Sequence, residues 1–179
     1  RLQQLAVETA DPTSPEWATH QIDWAQIAAA HARYLKLRKR PAEEVNAKYE
    51  LARSRGAALF EEGATASDVD RQRATMFIAA CHAAQSNHAE TLETYREALP
   101  ENLDDANASH IGLLIAMSRQ ISSHEALWPE NRELCEASAR KAVELAAAAG
   151  ESFPEAQAWA AGGLHAAREY SLNPTRALA

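Results

Sequence analysis

Residues 134–150 read LCEASARKAVELAAAAG, and this stretch has the pattern of an amphipathic helix. The residues of one helical face recur in it at intervals of three or four: Leu134, Ser138, Ala142, Leu145 and Ala149. Gly150 follows them, and glycine is suited to end a helix because it adopts the left-handed conformation of a helix terminus. The stretch therefore predicts a helix whose buried face is lined mostly by small side chains.

The whole chain shares the composition of this stretch. Of its 179 residues 41 are alanine, whereas valine and isoleucine together number only 10. Alanine loses no side-chain entropy in a helix, and β-branched residues are the ones that favour strands. The composition therefore predicts an all-α fold and argues against an all-β or doubly wound α/β fold.

Prolines, glycines and capping residues divide the chain into about seven helical segments. Ser14 is a candidate cap for a helix with Pro15 at its first position, reaching about Arg38. Pro41 precedes a second helix that we expect to run to Gly63, and Ser67 with Asp70 predicts a capping box. The first of these helices has large side chains at helical spacing, which predict its apolar face: Trp17, His20, Trp24, Ile27, His31 and Tyr34.

The remaining segments have apolar faces of the same kind. A helix from Asp104 or Asp105, a corner at Trp128, and a last helix from Pro154 are predicted in this part of the chain. The predicted buried faces are Ala74, Phe77, Ile78, Cys81 and Ala84; then Leu92, Tyr95 and Leu99; then Ile111, Leu114, Ile115 and Ile121. Because the connections are short, neighbouring helices should pack as antiparallel hairpins. We expect one all-α helical-repeat domain over residues 1–172 and a short tail over 173–179.

Two stretches resemble tetratricopeptide repeats, a family of stacked helical hairpins. Residues 95–100, YREALP, resemble the end of the second helix of such a repeat. Residues 139–150, followed by Trp159 and its neighbours, resemble a second helix running into the next unit. They are also similar to the longer repeats, of roughly 40 residues, in regulatory and sensor arms of bacterial signalling proteins. Thr91 departs from the small residue that the family has there.

The resemblance, which covers about residues 70–170, implies a right-handed superhelix of antiparallel hairpins with a concave groove; the alternative is an irregular six- to seven-helix bundle. Carrying the family register over places six residues toward the groove: Arg73, Met76, Ser109, Leu113, Gln157 and Leu164. It implies a non-enzymatic scaffold that binds a peptide or helix of a partner protein, as a regulatory part of a larger bacterial protein. A small-metabolite sensor and an all-α enzyme with an unrecognised site are the alternatives.

The residues that commonly carry chemistry lack the required spacing. His124-Glu125 is not followed by the second histidine of a zinc protease helix, and Cys81 and His82 are about 100° apart around a helix. We therefore predict no catalytic residues, no metal site and no cofactor. The two cysteines, Cys81 and Cys135, are expected to be reduced and buried.

Charge and hydropathy limit the partners. The net charge of -7 argues against a nucleic-acid surface, because phosphate binding requires clustered excess cations. The one basic run, Lys36 with residues 38–40, ends the first long helix and would suit an acidic partner. No apolar run approaches the roughly 20 residues of a membrane span, and no leader is recognised, so we expect a cytoplasmic protein. An exposed terminal helix with Leu2 and Leu5 would be the surface for a homodimer.

Overall fold

In the computed structural model, residues 11–124 and 127–149 are described, and this part of the chain is helical without any strand. The α-helices are α1 Pro15–Leu37, α2 Ala42–Ala57, α3 Asp68–Ala84, α4 His88–Ala98, α5 Ile111–Ser122 and α6 Trp128–Ala148. Short 3₁₀ turns span Ala58–Phe60, Leu103–Asp105 and Ala108–His110. The all-α prediction is confirmed over these ranges. The helices predicted at residues 1–10 and from Pro154, and the tail over 173–179, lie outside them.

Helix starts follow the predicted caps in the first half of the chain. The Ser14 hydroxyl accepts a hydrogen bond from the Trp17 N–H at 3.3 Å. Ser67 and Asp70 form the predicted capping box, with the Asp70 N–H donating to the Ser67 hydroxyl at 3.1 Å. These side chains satisfy amide groups that a helix start leaves without a partner.

Two predicted boundaries were wrong. α2 ends at Ala57 and is followed by a 3₁₀ turn, so Gly63, although its φ is +86°, does not terminate the helix itself. α5 starts at Ile111 and not at Asp104 or Asp105. The reason is that the Asn102 and Asn107 side chains accept backbone hydrogen bonds two residues on and cap short turns there.

The described residues fall into two compact units, which divide between Thr94 and Tyr95, inside α4. The first unit contains α1, α2 and α3, and the second contains α5 and α6. The prediction of one domain over residues 1–172 stays a prediction.

In the first unit, α1 and α2 form an antiparallel hairpin against which α3 packs. At one end, Trp17 from the start of α1 packs with Leu59 beyond the end of α2. At the other end, Leu35 of α1 packs with Val45 and Tyr49 near the start of α2. α2 also approaches α3 closely, since a Cβ on Gly56 would lie 3.0 Å from a side-chain carbon of Ile78.

The buried face of α1 is built of alanine. Besides Trp17, Gln21 and Ile22, this face consists of five alanines that are nearly inaccessible to solvent: Ala18, Ala25, Ala28, Ala29 and Ala32. The predicted apolar face of large residues was therefore wrong for Ile27, His31 and Tyr34, which are exposed. Alanine takes the core positions because small side chains let neighbouring helices approach closely and fill the space with their own residues.

The second unit is centred on the packing of α5 against α6. Its core contains the predicted face of α5. Of the predicted face of α6, Ser138 and Ala142 are buried, whereas Leu134, Leu145 and Ala149 are half-buried. The buried face of α6 is completed by Cys135, Ala139 and Ala146. The Cys135 thiol of α6 donates to the Ser118 carbonyl of α5 at 3.3 Å. α6 departs from helical geometry at Asn131, whose side-chain amide donates to the Leu127 carbonyl at 2.9 Å.

α1 and α3 end in the same way, with a residue in the left-handed conformation. Lys39 follows α1 with a φ of +53°, and Ser86 follows α3 with a φ of +64°. After α3, the Ser86 N–H donates to the Ala83 carbonyl and the Asn87 N–H donates to the His82 carbonyl, both at 3.0 Å. This is the Schellman arrangement, which usually has glycine where this chain has lysine and serine.

We predict that Ser86→Gly stabilises the protein. A side chain in the left-handed region costs about 1 kcal/mol, which glycine avoids, so the free energy of unfolding should rise by that amount. The control is Ala80→Gly, at an exposed position inside the same helix, which should lower it by about 1 kcal/mol. Urea denaturation measures both, and a loss of stability in Ser86→Gly would contradict the expected strain.

Candidate functional site

The outer face of α1 presents a row of exposed apolar side chains. Ile27, Ala30, Tyr34 and Leu37 follow one another at intervals of three, four and three residues. Ile27 is 42%, Tyr34 is 53% and Leu37 is 82% exposed, and Ala30 is exposed as well. We call these four residues the outer seam. Their spacing is the one that a helix uses to pack along a second helix.

The outer seam lies on the side of α1 that faces away from its own unit. Successive residues of a helix turn by about 100°, which places the seam opposite the alanine face that contacts α2 and α3. Among the described helices of the first unit, α2 and α3 pack on the opposite side of α1, and the seam side chains are exposed. Grouped apolar side chains on an exposed face are a common feature of surfaces that bind other molecules.

Neutral and cationic side chains flank the outer seam. Gln26 and Arg33 follow one edge of it, and His31 and Arg38 follow the other. No carboxylate occurs in the sequence between Asp23 and Glu43. The flanks are therefore neutral or basic over the whole length of the seam, although the chain as a whole is acidic.

Tyr34 and Arg38 interact within the seam and its flank. The Arg38 guanidinium carbon lies 5.4 Å from the centre of the Tyr34 ring, which is a cation–π contact. Tyrosine and arginine are also the residue types, with tryptophan, that contribute most to binding energy at protein interfaces. At an exposed site such a contact contributes about 0.5–1 kcal/mol.

Two members of the predicted basic run are engaged inside the first unit. The Lys36 ammonium donates to the Ala84 carbonyl at the end of α3, at 3.0 Å. The Arg40 guanidinium donates two hydrogen bonds to the Glu44 carboxylate, at 3.0 and 3.1 Å. Within residues 11–124 and 127–149, Arg33, Arg38 and Lys39 are exposed and form no ion pair, although the Arg33 charge also acts on the Cys81 thiol of α3.

This site was not predicted from the sequence, because Ile27 and Tyr34 were expected on the buried face of α1. Ala30, Arg33 and Leu37 were not among the predicted functional residues. The pattern that would have revealed the site is the second series at helical spacing, the alanines at positions 25, 28, 29 and 32. α1 therefore has two rows of apolar residues at helical spacing, and in the structure the alanine row is the buried one.

The predicted groove residues are distributed over both units and the residues outside the described ranges. On α3, in the first unit, Arg73 is exposed and Met76 is half-buried. In the second unit, Ser109 is exposed and its hydroxyl donates to the Asn107 side-chain oxygen at 2.6 Å. Gln157 and Leu164 lie outside the described residues.

The predicted groove position of Leu113 is wrong, because its side chain is 1% exposed and belongs to the core of the second unit. α5 is apolar around most of its circumference, and its residues 113–115, 117 and 118 are all buried. A position carried over from a repeat register therefore falls in the core here. Leu113 cannot contact a groove ligand without local unfolding.

A second apolar surface exists within the second unit. Leu99, Leu103, Met117 and Leu134 line a cleft of about 330 Å³, together with Arg96 and Glu101. The size is at the lower end of the range for small-molecule pockets. Met117 is almost wholly buried, so the cleft exposes little of it.

Both cysteines are free and buried, and burial controls the chemistry of their thiols. Desolvation raises the pKa of Cys81 to about 11, against smaller opposing effects of Arg53 and Arg33. Desolvation also raises the pKa of Cys135. For the neighbouring His82, burial lowers the pKa, and the Arg53 charge lowers it further. Across the described ranges, no three His, Cys, Asp or Glu residues are grouped so that they could hold a metal ion.

The comparisons with known proteins add no relative: no protein-family model, no curated protein and no solved structure matches the chain significantly. Among the helices of the described residues, none is long and apolar enough to cross a membrane.

We predict that two leucine truncations differ strongly in their effect on the free energy of unfolding. Leu113→Ala should lower the free energy of unfolding by about 2–5 kcal/mol, because it leaves a cavity in the core. Leu37→Ala should change it by less than about 0.5 kcal/mol, because that side chain is exposed. Urea denaturation compares the two; a large loss in Leu37→Ala would show that the seam is structural.

We also predict a pH dependence that belongs to Cys81. Its pKa is raised in the folded state from 9.0 to about 11, so folding favours the neutral thiol. The stability that this contributes is fully present below pH 9.0 and is lost as the pH rises through about 11. The stability difference between the wild type and Cys81→Ala should therefore shrink from about pH 8 to about pH 10.5, as measured by urea denaturation. A constant difference would contradict the burial of this thiol.

Proposed function

We propose that this protein is a non-enzymatic protein–protein interaction module that binds a helical segment of a partner through the outer seam of α1. One observation carries the proposal: Ile27, Tyr34 and Leu37 are exposed in a row at the spacing of helix–helix packing. A soluble helix gains nothing from exposing three large apolar side chains on one face unless another molecule covers them.

The chemistry of the seam suits recognition. Tyr34 presents a large ring with only two rotatable side-chain bonds, so it loses little conformational entropy on binding. The seam extends over about three turns of helix, so the surface that it buries with one partner helix is small. Such interfaces belong to transient contacts, which are typical of regulatory proteins.

The proposal includes the architecture that the sequence resembles. We propose that the hairpins are tetratricopeptide-like units of a right-handed superhelix in a regulatory part of a larger bacterial protein. The resemblance of residues 95–100 and 139–150 supports this. Such a superhelix would have a second surface, the concave groove. The residues that would line it are Arg73, Met76, Ser109, Gln157 and Leu164.

The metabolite-sensor alternative has one observation in its favour, the cleft of about 330 Å³ in the second unit. Its apolar lining by Leu99, Leu103 and Leu134 would accept a small hydrophobic group. The outer seam has no role in that function, so the two proposals are separable by experiment.

Photocrosslinking tests the proposed function. A benzophenone amino acid replaces Tyr34, and a matched protein has it instead of Ala47, which is exposed on α2. In lysate of the source cells, we expect position 34 to crosslink one polypeptide saturably, and position 47 not to. Excess unlabelled wild type should compete with the crosslink, and excess Ile27→Lys should not.

Circular dichroism first establishes that all of these proteins are equally helical. Equal crosslinking from both positions, or equal competition by Ile27→Lys, would contradict binding through the seam. Absence of any crosslink together with thermal stabilisation by a metabolite would favour the sensor alternative.

A further inference from the structure

We propose that the occupant of the outer seam is an acidic amphipathic helix, with apolar residues at intervals of three and four and with carboxylates on both sides of them. This inference rests on the proposed function and names the chemistry of the partner. It follows from the residues that flank the seam rather than from the seam itself.

The flanking positions determine the charge that a partner helix must have. When two helices pack along such a row, the residues beside the row face the corresponding residues of the other helix. Here those positions hold Gln26, His31, Arg33 and Arg38. Opposite charges at these positions stabilise a helix pair and like charges disfavour it, so glutamate or aspartate fits and lysine does not.

The cations of this face are only partly neutralised by the chain. Arg40 is held by Glu44, and Lys36 donates to the Ala84 carbonyl. The other carboxylate at the start of α2, Glu43, lies where it interacts favourably with the amino terminus of that helix. Arg33, Arg38 and Lys39 remain as a local excess of positive charge on a chain of net charge -7.

The same charges argue against a second copy of this chain on the seam. A symmetric pair brings the same surface of both copies together, so Arg33 and Arg38 would lie near their own counterparts. Two such helices would share their apolar rows only at the cost of repulsion along both edges. Charge complementarity therefore selects a different chain with acidic flanks.

The seam is ordered before binding. α1 is closed by hydrogen bonds from the Lys39 N–H to the Lys36 carbonyl and from the Arg40 N–H to the Leu35 carbonyl, both at 3.0 Å. These bonds hold the last turn, which has Leu37, in helical form. Binding of a partner helix therefore does not carry the entropy cost of ordering α1, and a short segment can bind.

The test uses the full chain and three fluorescent helical peptides, each about two heptads long. All have leucine at the row positions; the flanking positions hold glutamate, glutamine or lysine. Fluorescence anisotropy measures the three dissociation constants at low and at physiological salt. We expect the glutamate peptide to bind at least about tenfold more tightly than the glutamine peptide, with the lysine peptide weakest, and salt to reduce the preference.

Two pairs of variants identify the residues responsible. Arg33→Glu combined with Arg38→Glu should reverse the preference, so that the lysine peptide binds best. Arg132→Glu combined with Arg140→Glu, at exposed positions of α6, makes the same change in net charge and should leave the order of the peptides unchanged.

Each other result overturns the proposal. Equal affinity for the glutamate and glutamine peptides refutes the acidic partner, but the proposed function survives if Leu37→Lys abolishes that binding. If no peptide binds, the acidic helix is refuted, and the crosslink from position 34 decides the proposed function separately. Preferential binding to anionic phospholipid vesicles would assign the seam to a membrane surface. A dimer that sedimentation detects in the wild type and not in Leu37→Lys would assign it to a second copy.

Discussion

The close packing of the alanine face of α1 against α2 and α3 is the constraint on which the first unit depends. Alanine removes bulk between the helices, so the space is filled by larger side chains of the neighbours, such as Tyr49 and Leu59. From Ala25 to Ala32 the buried positions of α1 are all alanine, whereas the larger Ile27, Tyr34 and Leu37 are exposed.

This arrangement connects the fold to the proposed function. A helix held by its small face is rigid without help from its large one, and so the outer seam contributes little to stability. The exposed leucine at the end of α1 and the uncompensated arginines beside it would be unfavourable features of a chain with no partner. They become understandable when an acidic helix covers the apolar row and neutralises the flanks.

Much of the fold could be predicted from the sequence, because its determinants are local. Ser14, Ser67 and Asp70 act within one turn of helix, and the spacing of Ile111, Leu114, Ile115 and Ile121 identified buried positions of α5. The two short turns capped by Asn102 and Asn107 were missed, since a side-chain cap competes with helix formation over only two residues. Local patterns therefore determine where helices lie more reliably than where they begin.

The candidate site could not be predicted in the same way. α1 has two rows at helical spacing, and the choice of the buried one depends on how closely α2 and α3 approach, which is a long-range property. Size misled the prediction for Ile27 and Tyr34, because large apolar residues are usually the buried ones. Leu113 misled it in the opposite direction, since an expected groove position proved to be in the core.

The central claim is that the outer face of α1, and no other surface, receives the partner helix. Methyl-selective NMR of the full chain with the glutamate-flanked peptide tests it directly. The account predicts that intermolecular contacts and the largest shift changes occur at the methyl groups of Ile27 and Leu37, with the buried methyl groups of Ile121 almost unchanged. Contacts centred on Leu99, Leu103 and Leu134 in the cleft of the second unit would contradict it.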